Sequence, residues 1–278
     1  MPAGFSPVRK PLTRAQYERQ FAEFQQWCAN SDAGPPLPTS RETVLAYVQH
    51  LVRMGRLGRC AIRTRLAAIN AAHRDKKKTA PIDARLRRDL VRVLRRRPEG
   101  DRQKYGLTDS DLCRLLATCG REKANDIRDR AIILCSRHAA LTRGEVVALS
   151  MADLEWTGRG CVLRIDPPRE LMRQKTSLVC PVRALERWLA VDGHRTGLVF
   201  HSANAGGVSR MIMRRLESAK LDRMKYSHVS LRFGRWVDLA CAGTETREIA
   251  RAYGVSVSEV AKILERHGAG APRRKRSR

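Results

Sequence analysis

Most side chains in this chain that could do chemistry are cations, and their spacing indicates which chemistry. Between Arg53 and Arg97 stand 16 Lys or Arg against three acids, Asp75, Asp83 and Asp89, a net +13. Solvated helix faces normally mix signs, so this stretch is read as a phosphate-binding surface. Its expected contacts are Arg59, Arg63, Arg65, Arg74 and the run Lys76, Lys77, Lys78. Arg210, Arg214 and Arg215 recur on one predicted helix and are read as DNA contacts too. The chain as a whole agrees, since 55 Lys plus Arg against 28 Asp plus Glu give a formal charge of +27 and a pI near 11.0. Each phosphate that a cation neutralises releases a counterion, so the expected partner is a polyanion.

Other chemistries find little support. The eight cysteines, Cys28, Cys60, Cys113, Cys119, Cys135, Cys161, Cys180 and Cys241, are scattered. They form no Cys-x-x-Cys pair, and no His or Cys stands at zinc-ligand spacing. They are read as reduced, mostly buried small hydrophobes, and no metal is expected. Ser202 to Gly207 contains glycines without the spacing of a nucleotide-binding loop, so no cofactor and no small-molecule substrate is expected. No segment approaches the ~18 to 20 apolar residues that span a bilayer. The first thirty residues lack the apolar core of a signal peptide. A cytoplasmic, nucleoid-associated location without a membrane partner is the expectation.

Apolar periodicity predicts the elements that must position these cations. Four helices are expected over Thr13–Ala29, Arg41–Met54, Cys60–Arg74 and Asp83–Arg97, the first with Tyr17, Phe21, Phe24 and Trp27 on one stripe. Gly34, Pro35 and Pro36 separate the first two, and Ser40 is placed to cap the second. This four-helix N-terminal domain spans 12–97. Residues 98–106, with Pro, Gly and charge but no apolar period, read as a linker. A second domain spans 107–267, opening on Thr108 as a helix cap, with a helix to Cys119 and another over Ala124–His138. Short β-like runs follow at Cys161–Ile165, Ser177–Val179 and Gly197–Phe200. Helices then resume from Val208 to about Arg266, and Ser256 to Glu259 reads as a capping box with Val257, Val260, Ala261 and Leu264 on one stripe. Trp27, Trp156, Trp188 and Trp236 are expected in cores. Residues 268–278, with five basic residues, read as a disordered arm able to reach a phosphate backbone.

Five local motifs in order resemble the tyrosine recombinase, or phage integrase, family. Ile127 to Leu134 followed by Leu141-Thr142-Arg143-Gly144-Glu145-Val146-Val147-Ala148-Leu149 and Asp153-Leu154 resembles "RDRALLLL…GLRxSELxxLxxxDL". Lys175-Thr176 is similar to the "KT" of the family's β-hairpin, and Cys180 to Leu189 to the helix after it. Tyr226-Ser227-His228-Val229-Ser230-Leu231-Arg232 resembles "YSGHSLR", and Tyr253-Gly254-Val255 the "xGH" or "xGW" element. The resemblance runs from about Thr13 to Arg266. It implies a mainly α fold, with a SAM-like four-helix core-binding domain and a helical catalytic-type domain holding a small β-sheet, closing on duplex DNA as a C-shaped clamp.

Family members join a tyrosine to the scissile phosphate while cations stabilise the charge on the nonbridging oxygens and a proton donor serves the leaving 5′ oxygen. Set residue by residue, the resemblance puts Thr142 at the first catalytic arginine, with Arg143 off by one. It puts Val229 at the histidine, with His228 off by one, Val255 at the His or Trp, and Leu264 at the nucleophile. Lys175 and Arg232 are retained, and both could also simply hold a phosphate. One helical residue is about 100° of rotation, so Arg143 should not point where the absent guanidinium would. Cys180-Pro181 follows Lys175 by only five residues, so the hairpin is short. Asp166 to Glu170 is either a polar turn or a DNA-contacting loop.

The function this implies is sequence-specific binding of double-stranded DNA without strand cleavage. Arg59, Arg63, Arg65 and Lys76 to Lys78 would grip one side, and Lys175, Arg210, Arg214 and Arg232 the other. The setting would be regulatory or architectural, at a mobile element, plasmid or phage, with self-association on DNA or an active recombinase as the partner. Two alternatives stand beside it: a divergent active recombinase using Tyr253 or Tyr226, and a basic RNA-binding module.

Overall fold

The computed structural model describes residues 11–95 and 103–269. The chain divides into two compact units, Met1–Asp101 and Arg102–Arg278.

The first unit holds α1 (Pro11–Ser31), α2 (Arg41–Met54), α3 (Arg59–Asp75) and α4 (Ala84–Leu94). Caps set the boundaries: the Ser40 hydroxyl accepts from the Thr43 N–H and the Asp83 carboxylate from the Leu86 N–H. Gly55 closes α2 at φ 76, where a side chain would be strained. Phe24, Val44, Val48, Ile62, Ile69, Leu86 and Leu90 form the core between the helices. His73 is buried in α3 and ties it to the loop before α2. Its Nε2 accepts from the Thr39 N–H at 3.0 Å, so Nδ1 carries the proton and donates to the Ile69 carbonyl at 2.8 Å. Arg96 and Arg97, expected in the fourth helix, lie outside the described residues, as does most of the expected linker.

The second unit contains α5 (Asp109–Ala117), α6 (Ala124–His138), α7 (Arg143–Ala148), β1 (Leu154–Thr157), β2 (Gly160–Leu163) and β3 (Arg169–Met172). After them come α8 (Pro181–Asp192), α9 (Ala205–Ser218), α10 (His228–Cys241), α11 (Thr246–Ala252) and α12 (Val257–Arg266). The fold is mainly helical with one three-stranded antiparallel sheet in the order β1-β2-β3, Cys161 lying opposite both Trp156 and Leu171. Helix α6 is the central strut, with Ala131 to Cys135 all buried in the main core. At its start the fully buried carboxylate of Asp129 accepts from Arg215 at 2.7 and 3.1 Å and from Arg128 at 3.1 Å. Arg215 also bonds Asp126 and the Thr118 carbonyl. This network fastens α9 to α6, so Arg215 is a structural cation and not the DNA contact expected of it.

Several expectations are corrected here. Ser177–Val179 is a short 3₁₀ turn, and Gly197–Phe200 contributes only a single bridge, Leu198 to Ser150. The strands that complete the sheet are β1 and β3 instead. Trp156, expected in a core, is 45% exposed on the outer strand β1. In α12 the buried stripe is Val260, Ile263 and Leu264, while Val257 and Ala261 face solvent. The arm 270–278 lies outside the described residues.

Candidate nucleic-acid interface and anion site

In the first unit, Arg63, Arg74, Lys76, Lys77 and Lys78 are exposed on α3 and just beyond it, and Arg87, Arg88, Arg92 and Arg95 are exposed on α4. These side chains form a cationic surface over one pair of helices. Two of the expected contacts have other work. Arg65 is ion-paired with Glu23 of α1 at 2.8 Å and is only 17% exposed, so it serves first as a pin between α1 and α3. Half-buried Arg59 donates to the Arg95 carbonyl at 3.2 Å.

In the second unit the site is built where α7, β3, α10 and α11 meet. Thr142 is there for a structural reason. Its hydroxyl accepts from the Glu145 N–H at 3.1 Å, and the Glu145 carboxylate accepts from the Thr142 N–H at 2.5 Å, a capping box that starts α7. Arg143, next along, is exposed and hydrogen-bonds Ser209 of α9.

Two guanidiniums come together beyond this cap. Arg232, in the second turn of α10, and Arg169, the first residue of β3, both donate to the Tyr253 carbonyl, at 3.5 and 3.3 Å. Arg169 lies 3.7 Å from Glu145 and 4.9 Å above the Tyr253 ring, and Arg232 lies 4.9 Å above Trp236. Burial lowers the proton affinity of both guanidiniums, and Glu145 opposes that shift. Arg232 lowers that of Arg169 further, and Glu259 supports Arg232. The Nε of each is buried without a hydrogen-bond partner. The pair thus sets two positive charges beside one backbone carbonyl oxygen.

Arg169 is the partner of Arg232 that motif spacing does not single out. Its position follows from the turn before it. Asp166-Pro167-Pro168 reverses the chain, Arg169 donates to the Pro167 carbonyl at 2.5 Å, and the turn packs on Gly254. Gly254 has φ +60, and a Cβ there would lie 3.1 Å from Pro167 Cδ. An arginine directly after paired prolines, at the mouth of a hairpin, was the available signal. Lys175 is placed differently. It is exposed in the segment between β3 and α8 and shares none of the contacts that join Arg169 to Arg232. Arg210 and Arg214 are exposed on α9, Arg214 standing 3.5 Å from Asp129.

The other positions are packed. His228 opens α10, buried, with Nε2 3.1 Å from the Ser136 hydroxyl. Burial pushes its pKa down to about 4, and the nearby charges of Arg143 and Arg232 act in the same direction. Arg143 and His228, each one residue off the family register, thus lie within electrostatic reach of each other and of Arg232. Val229 is half-buried, Val255 packs against the cluster of the last helices, and Leu264 is 2% exposed within it beside Trp236 and Ile249. Tyr226 donates its hydroxyl to Asp111 at 2.9 Å, and its pKa is pushed up to about 12 by burial and then by Asp111. Tyr253 is 8% exposed, its ring held between Arg169 and Trp236.

The buried imidazoles make stability depend on pH. His138 is also pushed down to about 4, by burial first and then by Arg235 and Arg137. An unfolded histidine takes its proton near 6.5, so between about pH 6.5 and 4 the unfolded chain binds more protons than the folded one. The contribution is whole above that window and is lost as pH falls through it, on the order of 3 kcal/mol for each ring. Urea unfolding followed by circular dichroism from pH 7.5 to 4.5 should show the midpoint falling steadily. In His228→Gln the fall should be about half as steep.

The second unit thus combines a helical core, a three-stranded antiparallel sheet and a last pair of helices, α11 and α12. No family model matches the chain. An integrase/recombinase XerD homolog of Selenomonas ruminantium is 22% identical over 240 residues, 82% of this chain and 67% of the relative. The Tn1549 transposon integrase in complex with transposon right end DNA is similar with a TM-score of 0.65 at 15% identity, over 93% of this chain and 90% of that one. XerH recombinase in its post-cleavage complex with palindromic difH substrate gives 0.61 at 15% identity, over 91% and 75%. A lambda integrase dimer bound to a COC′ core site gives 0.58 at 11% identity, over 98% and 93%. The solved structures show that the chain has the tyrosine recombinase catalytic-domain fold.

Proposed function

We propose that this protein is a sequence-specific duplex DNA-binding factor of tyrosine recombinase fold that does not cut its DNA, serving regulation or architecture at a mobile element, plasmid or phage. The observation that carries the reading is Leu264. Where relatives by motif spacing carry the tyrosine that attacks the phosphate, this chain has a hydrocarbon side chain sealed among Trp236, Ile249 and Val260. A leucine cannot be esterified to a strand. The groups that would only grip a phosphate are kept, in Lys175 and Arg232. DNA as the partner is supported by the charge of +27, by the exposed cations of α3 and α4, and by structural neighbours that are DNA complexes.

A second reading, an active divergent recombinase, has one observation in its favour: the Tyr253 phenol ring sits against Arg169, and Arg232 binds the same residue's carbonyl. Tyr226 has none, since Asp111 holds its hydroxyl. Incubation with nicked suicide duplexes followed by denaturing electrophoresis separates the readings. The expected result is a retarded complex on native gels and no covalent adduct on denaturing ones. An adduct that disappears in Tyr253→Phe establishes the active enzyme instead.

A further inference from the structure

We propose that Asp192, His194 and His201 form a binding site for one divalent transition-metal ion, independent of the DNA-binding reading. The three residues come from two segments that sequence spacing does not connect. Asp192 is the last residue of α8, and Gly193, in the left-handed conformation at φ 73, ends the helix and turns the chain back. His194 thereby places Nδ1 3.2 Å from the Asp192 Oδ2 atom. His201, in the loop before α9, places its Nδ1 3.5 Å from the same oxygen, and the two rings are 4.4 Å apart, centre to centre. All three donor atoms lie within 4.8 Å of one another.

These separations match a metal's ligand shell. Nitrogen and carboxylate ligands stand about 2.0 to 2.2 Å from zinc, so two ligands of one ion are roughly 3.0 to 3.5 Å apart. The Asp192 oxygen already has that spacing to both imidazole nitrogens. The set is also held in advance of any ion. Phe200 is fully buried beside His201, Val199 donates to the Leu149 carbonyl at 2.8 Å, and Trp188 donates to the Val199 carbonyl at 2.8 Å. Arg128 fixes Ser202 at 3.0 Å on the other side. The Asp192 side chain is only 7% exposed, while those of His194 and His201 are 60% and 41% exposed. The carboxylate thus forms the floor, and the open side leaves room for water to complete the coordination. Two imidazoles with one carboxylate suit zinc, nickel or copper and not magnesium or calcium, which require oxygen ligands.

The test is isothermal titration of the tag-free full-length chain with Zn²⁺ and, separately, with Ni²⁺ at pH 7.5. One ion per chain is expected, with affinity reduced by about tenfold or more in His194→Ala and in His201→Ala. Both rings are on the surface, so these variants keep the fold. The proposal is overturned if neither ion binds saturably. It is equally overturned if the His194→Ala/His201→Ala double variant binds as the parent does, which would assign the ion to other groups such as the exposed thiols of Cys60, Cys113 and Cys241.

Discussion

Replacing Asp129 with alanine should lower the unfolding free energy by about 3 to 5 kcal/mol, the cost of removing one partner from a buried charge network. The carboxylate is fully buried and is the meeting point of Arg215, Arg128 and Arg214. Without it the Arg215 guanidinium retains Asp126 and the Thr118 carbonyl but loses its innermost acceptor. Asp129→Asn keeps the shape and removes the charge, so it separates electrostatics from packing. Urea unfolding of both variants and the parent at one pH measures the effect. A loss below about 1 kcal/mol for the alanine variant would show that the network is solvated and dispensable.

The second large effect concerns Arg232. Arg232→Ala should weaken DNA binding by about tenfold and reduce the slope of log affinity against log salt by roughly one. Arg65→Ala should behave differently. Its ion pair with Glu23 joins α1 to α3, so the substitution should lower stability while leaving the salt slope nearly unchanged. Fluorescence anisotropy with a labelled duplex across 50 to 300 mM salt measures both. If Arg232→Ala leaves slope and affinity unaltered, its guanidinium serves only the Tyr253 carbonyl and the Trp236 ring.

Much of this architecture was legible in the residues, and the exceptions have physical causes. Helices were readable because 3.6-residue periodicity and caps are local: Ser40, Thr108 and Ser256 each accept the backbone N–H expected of a cap. The sheet was harder. Strand β3, Arg-Glu-Leu-Met, shows its alternation only once Arg169 is known to be buried, and an arginine reads as exposed. Ser177–Val179 is apolar enough for a strand, but no partner strand lies beside it. The motif spacing located Arg232, yet it could not show that Arg169 reaches the same carbonyl, because that contact joins residues 84 positions apart. Likewise, composition counts cations without revealing which have already found a carboxylate, as Arg65 and Arg215 have.

The seat of Leu264 bears on reversibility. Leu264→Tyr would drive a ring into an interior already filled by Trp236, Ile249 and Ile263, an overpacking of typically 1 to 3 kcal/mol. A phenol introduced there by one codon change would sit inside the hydrophobic cluster, away from any strand. Under the proposed non-cleaving function, a tyrosine at 264 would need the last two helices repacked around it before its hydroxyl could reach a phosphate.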